Sequence, residues 1–205
     1  MIIVGSLTTL PKRLLHIRKT LISIQNQNLL FDNVYLNIPY KTIKGEEYII
    51  PSDLLLNFDR IIINRCDDQG SVTKLLPTLL LETDPETIII TFDDDMIYDK
   101  DLVKNLVGGI QKHKDSCIGT RGWIVGTFPF LYQSVSDQEK EVDWLEGKTG
   151  IAYKRKFFGN IPTMFTQQFM NKELNNVLKK YEDLMNKEFL NMMIIFLYIL
   201  WQKLV

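Results

Sequence analysis

The chain has 205 residues, 45% hydrophobic and 24% charged, the composition of a globular protein with a sizeable core. Its 24 Lys and Arg against 25 Asp and Glu leave a net charge of -1, so no global basic field argues for nucleic acid as a partner. Two cysteines, Cys66 and Cys117, have neither metal-type spacing nor the density of a disulfide framework, which fits a reducing compartment.

The chain opens Met1-Ile2-Ile3-Val4, already a strand, with no basic leader before it. Residues 2–6 read as the first strand and Thr8-Thr9-Leu10-Pro11 as a loop. A helix is expected over residues 12–27, with Leu14, Ile17, Leu21 and Ile24 at helical spacing. Residues 33–38 alternate as a second strand, closed by Pro39. After a polar loop through Lys44-Gly45-Glu46-Glu47, residues 61–64 form a third strand that runs into Arg65-Cys66-Asp67-Asp68. Gly70-Ser71 opens a helix through Lys74 to about residue 81, and residues 87–92 form the fourth strand. Residues 99–114 read as a helix with Asp99 as its N-cap.

Strands alternating with helices in this way predict βαβ units and a mainly parallel sheet. From Ile118 the pattern changes to glycines and aromatics, with short strands at Ile118-Gly119 and Ile151-Ala152-Tyr153. Residues 166–203 read as helical. The apolar block 192–201 is shorter than the roughly 18–20 residues of a membrane span. It reads first as a buried terminal helix; membrane-surface attachment, a partner interface or a non-native tail stay open. No repeat or internal boundary is visible, so residues 1–205 are expected to form a single α/β domain. Residues 1–115 would be its nucleotide-binding half and residues 116–205 the half that shapes the acceptor and sugar site.

The most informative stretch is the apolar run Thr87-Ile88-Ile89-Ile90-Thr91-Phe92, which ends on Asp93-Asp94-Asp95. The run reads as a strand buried on both faces. Three adjacent acids at its end repel one another unless water, a cation or basic partners compensate them. In open α/β sheets, ligands bind at the carboxyl ends of strands. If the chain stays extended, Asp93 and Asp95 face the same way, and with water and diphosphate oxygens they can complete a Mg²⁺ or Mn²⁺ site.

Other stretches have both a functional and a structural reading. In Ser6-Leu7-Thr8-Thr9-Leu10-Pro11-Lys12-Arg13, hydroxyls and free N–H groups can bind base, ribose or phosphate, and Arg13 can pair with phosphate; alternatively Thr8 or Thr9 caps a helix. In the segment Arg65 to Lys74, an acid can hold ribose or uracil and Lys74 can reach a diphosphate; alternatively Asp67 or Asp68 caps the helix. Trp144-Leu145-Glu146-Gly147 and Arg121-Gly122-Trp123 combine aromatic surface with a carboxylate or glycine, as a sugar site would, although a Trp in the core is equally consistent. His16 and His113 receive no role.

At these residues the chain resembles GT-A-fold nucleotide-sugar glycosyltransferases. More narrowly it is similar to the small glycosyltransferase domains of large DNA viruses of algae, linked to capsid glycosylation, and to bacterial polysaccharide-type relatives. The matching pieces are Ser6 to Arg13, Leu36-Asn37-Ile38-Pro39, Asp68 to Pro77, Thr91 to Asp95 and Trp144 to Gly147. The resemblance implies a GT-A, Rossmann-like fold, a UDP-sugar donor and Mn²⁺ or Mg²⁺. It makes Asp95 the main metal ligand, with Asp93 on ribose or donor sugar and able to share the metal. Ser6, Thr8, Arg13, Asn37, Arg65, Asp68, Lys74 and Asp94 join Asp93 in holding the donor, while Trp123, Trp144 and Gly147 face the sugar or acceptor. It further implies a glycan or glycoprotein acceptor, no transmembrane segment, and a cytoplasmic location, in the host cytoplasm if the chain is viral.

One departure matters. Such proteins commonly carry a late acidic pair just before a terminal helix, and in an inverting enzyme an acid there is the general base. This chain reads Glu188-Phe189-Leu190-Asn191-Met192-Met193, and methionine takes no proton. Either Glu188, Asp143 or Glu146 substitutes as the general base, or the chain binds nucleotide sugars without transferring them well; a damaged or divergent terminus is a further alternative. A nucleotidyltransferase is the remaining rival. It would often show a glycine-rich basic loop near the N-terminus, whereas residues 6–13 contain no glycine.

Overall fold

The computed structural model describes residues 1–125, 132–136, 139–142 and 144–158. Residues Met1–Phe157 form one compact unit, and the second unit starts at Phe158. The helix expected over residues 166–203, Asp143, Glu188 and the Met192-Met193 pair lie outside the described residues.

Six strands form the main sheet: β1 (Ile3–Thr8), β2 (Asn33–Pro39), β3 (Ile61–Cys66), β4 (Ile88–Thr91), β5 (Ile118–Gly119) and β9 (Ile151–Lys154). Their order is β3-β2-β1-β4-β9-β5. The pairs β3·β2, β2·β1 and β1·β4 are parallel, while β9 runs antiparallel to both β4 and β5. The sheet is therefore mainly parallel, as the alternating pattern predicts. Strand order reverses between β1 and β4, so the crevice beyond their carboxyl ends is the topological switch point of the sheet.

The triple isoleucine of β4 is buried throughout: Ile88, Ile89 and Ile90 expose 1% or less, which is the signature of a central strand covered on both faces. Helix α1 (Arg18–Gln25) lays Leu21 and Ile24 on the sheet, and Leu14 and Ile17 in the turns before it are equally buried. Each such side chain contributes about 1.5–3 kcal/mol of transfer free energy. Phe92 continues the core past β4, meeting Phe31 and Tyr98 edge-on with ring centroids 5.8 and 4.7 Å apart. The acidic triplet thus leaves the sheet from a rigid anchor.

Two expected helices are shorter than the apolar periodicity implies. The first is a 3-10 turn at Pro11–Arg13, then irregular turns, and only then α1. No side chain caps either start, so neither Thr8 nor Thr9 acts as an N-cap. The second splits into a 3-10 turn at Gly70–Lys74 and α2 (Leu76–Leu81), with a break at Leu75. Pro77 explains the break, because it has no N–H and its ring obstructs a helical carbonyl four residues earlier. Helix α3 (Leu102–Lys112) starts later than expected, and Asp99 is not its N-cap residue. The side-chain carbonyl of Gln27 instead accepts the Val103 N–H at 3.0 Å, satisfying one of the unpaired donors at that end.

Residues 121–145 hold a second, three-stranded antiparallel sheet in the order β7-β6-β8, made of β6 (Arg121–Val125), β7 (Tyr132–Ser136) and β8 (Trp144–Leu145). Periodicity did not reveal it, because its strands are short, at most five residues each. In register, Trp123 lies opposite Trp144. Gly150, with φ of 83°, then turns the chain into β9.

Candidate active site at the carboxyl ends of β1 and β4

Two loops meet at the switch point, and charge pairing ties them together. Asp94 is the buried centre: Thr9 Oγ1 donates to its Oδ2 at 2.6 Å, and Arg13 donates to its Oδ1 at 2.6 Å. Thr20 Oγ1 donates to the Asp94 carbonyl at 3.0 Å. Arg13 also lies 3.3 Å from Asp95 Oδ2, and its hydrogen bond with Asp94 raises its own pKa. Asp93 pairs with Lys74 Nζ at 2.6 Å, each side chain keeping under a quarter of its surface exposed. The Asp93 peptide is clamped by Tyr98, whose hydroxyl accepts the Asp93 N–H at 2.8 Å and donates to the Asp93 carbonyl at 3.2 Å. Burial pushes that phenol's pKa well above its ordinary value, so it stays a donor.

These contacts correct the extended geometry expected for Asp93 and Asp95. Strand β4 ends at Thr91, and Asp94 and Asp95 lie in a turn. The turn forms because Asp94 points inward to Thr9 and Arg13 rather than outward. Both Asp94 carboxylate oxygens are engaged within the chain, and through them Asp94 locks the two loops together.

Ser6 and Asn37 also differ from expectation. Both are fully buried, and they form a polar network beneath the site. Ser6 Oγ donates to the Lys74 carbonyl and lies 2.5 Å from Thr78 Oγ1. The Asn37 amide donates to Ser6 Oγ at 3.2 Å and Thr78 Oγ1 at 3.1 Å, and its oxygen accepts from Asn64 at 2.8 Å. Through this network Ser6 fixes the backbone of Lys74, and Asn37 holds Ser6 in place. Thr8 Oγ1 donates to the Asn37 carbonyl at 2.8 Å, tying β1 to β2.

Asp68 takes the structural alternative. Its Oδ1 accepts the Gly70 N–H at 2.9 Å and its Oδ2 accepts the Ile43 N–H at 2.8 Å, so it shapes the turn before Lys74 and holds the neighbouring loop. Arg65 lies over the Tyr40 ring at 5.2 Å, a cationic and aromatic pair beside the ends of β2 and β3. Next to it, burial and the carboxylates of Asp67 and Asp68 push the Cys66 thiol up to about 11, which leaves it unreactive at neutral pH.

In the turn after β8, Gly147 comes up against Lys74: a Cβ on it would stand 3.5 Å from Nζ. Glu146, in the same turn, pairs with Arg121 Nε at 3.1 Å, and the Arg121 guanidinium lies 5.7 Å from the Trp123 ring. Trp144 is placed by its pairing with Trp123. Thr20, Thr78, Tyr98 and Asn64 are the contributors that sequence reasoning passed over, and the bond of Thr9 to Asp94 was not foreseen either. Their partners are 41 to 85 positions away except for Tyr98 and Asn64, so local spacing carried no signal for most of them.

Among the described residues, no group of three His, Cys, Asp or Glu side chains is arranged around a common metal position. The donor chemistry nonetheless suits Mg²⁺ or Mn²⁺, which commonly take one or two carboxylates and draw their remaining oxygens from water and substrate phosphates. Asp93 and Asp95 are the carboxylates that fit. Asp95 is half exposed, and only one oxygen of each is engaged by a basic partner.

No protein-family model matches the chain, and neither does any curated protein sequence. Solved structures do match in shape. A 4-diphosphocytidyl-2C-methyl-D-erythritol synthase superposes with a TM-score of 0.51 at 10% identity, covering 84% of each chain. S. aureus TarS (1-349) gives 0.51 at 14% identity, over 78% of this chain and 49% of that one. The glycosyltransferase GlyE of Streptococcus pneumoniae TIGR4 gives 0.41 at 13% identity, over 94% and 43%. The likeness shows the fold: a GT-A-like, Rossmann-type α/β architecture with a mainly parallel central sheet flanked by helices.

Proposed function

We propose that the chain is a metal-dependent glycosyltransferase that moves a sugar from a UDP-sugar-type donor to a hydroxyl on a glycan or glycoprotein. The observation that carries this assignment is the meeting of Lys74–Asp93 with Arg13–Asp95 at the β1/β4 switch point. Two cations and two accessible carboxylates there match what a nucleoside diphosphate and its counter-ion require. Asp93 and Asp95 would hold the metal, whose chemistry is to neutralise the departing diphosphate. Lys74 and Arg13 bind and orient the phosphates, and Arg65 with Tyr40 borders the nucleoside end.

Glu146 is the general base that the described residues offer, steered by Arg121; Asp143 and Glu188 are its alternatives. Transfer would pass through an oxocarbenium-like state, by analogy with glycoside hydrolysis. The cysteine content and the described helices, none long and apolar enough to cross a membrane, are compatible with a cytoplasmic setting.

A nucleotidyltransferase is the second reading, favoured by the equal structural likeness to the cytidylyl-type synthase. A screen of nucleoside diphosphate sugars with Mn²⁺, read as released UDP, tests the first. Pyrophosphate release from a nucleoside triphosphate and a sugar phosphate, without UDP release from any donor, replaces it with the second.

A further inference from the structure

The acidic triplet is already compensated from within the chain. Lys74 Nζ sits 2.6 Å from Asp93 Oδ1, and Arg13 spans Asp94 Oδ1 at 2.6 Å and Asp95 Oδ2 at 3.3 Å. Three carboxylates against two cations leave one net negative charge. The Lys74–Asp93 pair is the more enclosed of the two that touch Asp93 and Asp95, with side-chain exposures of 22% and 23% against 47% for both Arg13 and Asp95. Opposite charges so enclosed are weakly screened, and removing one leaves the other uncompensated. A divalent cation arriving alone at Asp93 and Asp95 therefore competes with Lys74 for Asp93 and is repelled by it.

A diphosphate changes that balance. Its oxygens are matched partners for an ammonium and a guanidinium. The missing side chain at Gly147 leaves space beside the Lys74 ammonium, where a Cβ would stand 3.5 Å away. We propose that Lys74 is an exchangeable counter-ion, paired with Asp93 until a donor binds and then handed over to the diphosphate, freeing Asp93 for the metal. This rests on the donor site proposed above. Its consequence is reciprocal coupling: metal and nucleoside diphosphate each raise the affinity of the other by the same factor. Arg13 contributes less, because its stronger contact is with Asp94, which stays committed to the loop lock. Ser6 and Asn37 hold the Lys74 backbone, so only its side chain has to move.

The test is Mn²⁺ binding to the full chain, followed by the paramagnetic resonance signal of free Mn²⁺, with and without UDP. The wild type is compared with Lys74→Met and Lys74→Arg, with circular dichroism reporting folding. UDP should raise the wild-type Mn²⁺ affinity by roughly 10- to 100-fold, within the usual range of coupling between sites. Lys74→Met should bind Mn²⁺ alone on the order of 10-fold more tightly than wild type and lose most of the UDP effect, while Lys74→Arg keeps both wild-type behaviours. Unchanged or weaker Mn²⁺ binding by Lys74→Met overturns the proposal, as does coupling that survives in that variant. If Lys74→Met does not fold, a wild type with the same Mn²⁺ affinity in the presence and absence of bound UDP overturns it. If UDP binds to no form of the protein, the donor site itself fails, and the metal-alone comparison still decides the role of Lys74.

Discussion

Thr9 and Asp94 are 85 positions apart, yet the Thr9 hydroxyl donates to the Asp94 carboxylate at 2.6 Å, joining the loop after β1 to the loop after β4. The adjacent acids of the triplet therefore have different tasks. Asp94 is buried and holds the two loops, whereas Asp95 is half exposed and has little to hold.

This division predicts opposite phenotypes. Asp94→Ala should destabilise the fold by about 1–3 kcal/mol, since it strands the Thr9 hydroxyl and weakens a partly exposed ion pair. Asp95→Ala should change stability by less than about 0.5 kcal/mol while abolishing Mn²⁺-dependent UDP binding. Denaturant unfolding and calorimetry with and without metal measure the two quantities. Identical UDP affinity in both metal conditions for the wild type would remove Asp95 from the site.

The network under Lys74 gives a second expectation. Asn37→Ala leaves the fully buried Ser6 and Thr78 and the partly buried Asn64 each short of a partner. A loss of about 1–3 kcal/mol in unfolding free energy is expected. A neutral outcome would show that water or a rearranged Ser6–Thr78 contact takes over.

Glu146→Gln keeps the shape of the side chain and removes its basicity. If Glu146 takes the acceptor proton, kcat should fall by about 10²–10⁴ with the donor KM nearly unchanged. A rise in KM with kcat intact would assign Glu146 to binding alongside Arg121, and leave the base to Asp143 or Glu188.

Cys66 supplies a test in pH. Its thiol is raised from 9.0 to about 11, so the folded form favours the neutral group. The associated stability is fully present below pH 9.0 and is lost as pH rises toward about 11. In a Cys117→Ser background, the alkylation rate of Cys66 should have its midpoint near 11 in the folded protein and near 9.0 in denaturant. Equal midpoints would contradict the burial effect.

Much of the scaffold is legible from local pattern. The Ile88-Ile89-Ile90 run, the spacing of Leu14, Ile17, Leu21 and Ile24, and the alternation at residues 33–38 each reflect a side chain's preference for core or water. The breaks in the two short helices were harder to see. Pro77 marks one directly, whereas the irregular entry to α1 depends on Arg13 being drawn to a carboxylate elsewhere in the chain. The second sheet was missed because its pairing is between strands too short to show a period.

By itself, the sequence determined that an α/β sheet would end in three acids near a basic loop, because hydrophobic periodicity and chain order are local properties. Which acid is buried and bonded within the chain was decided only by the tertiary structure. Ser6, Asn37, Asp68 and Asp94 have the same polar chemistry as a ligand-binding set. Their partners within the chain are brought together through strand order, which local spacing does not reveal, and a polar group withdrawn from water keeps such partners.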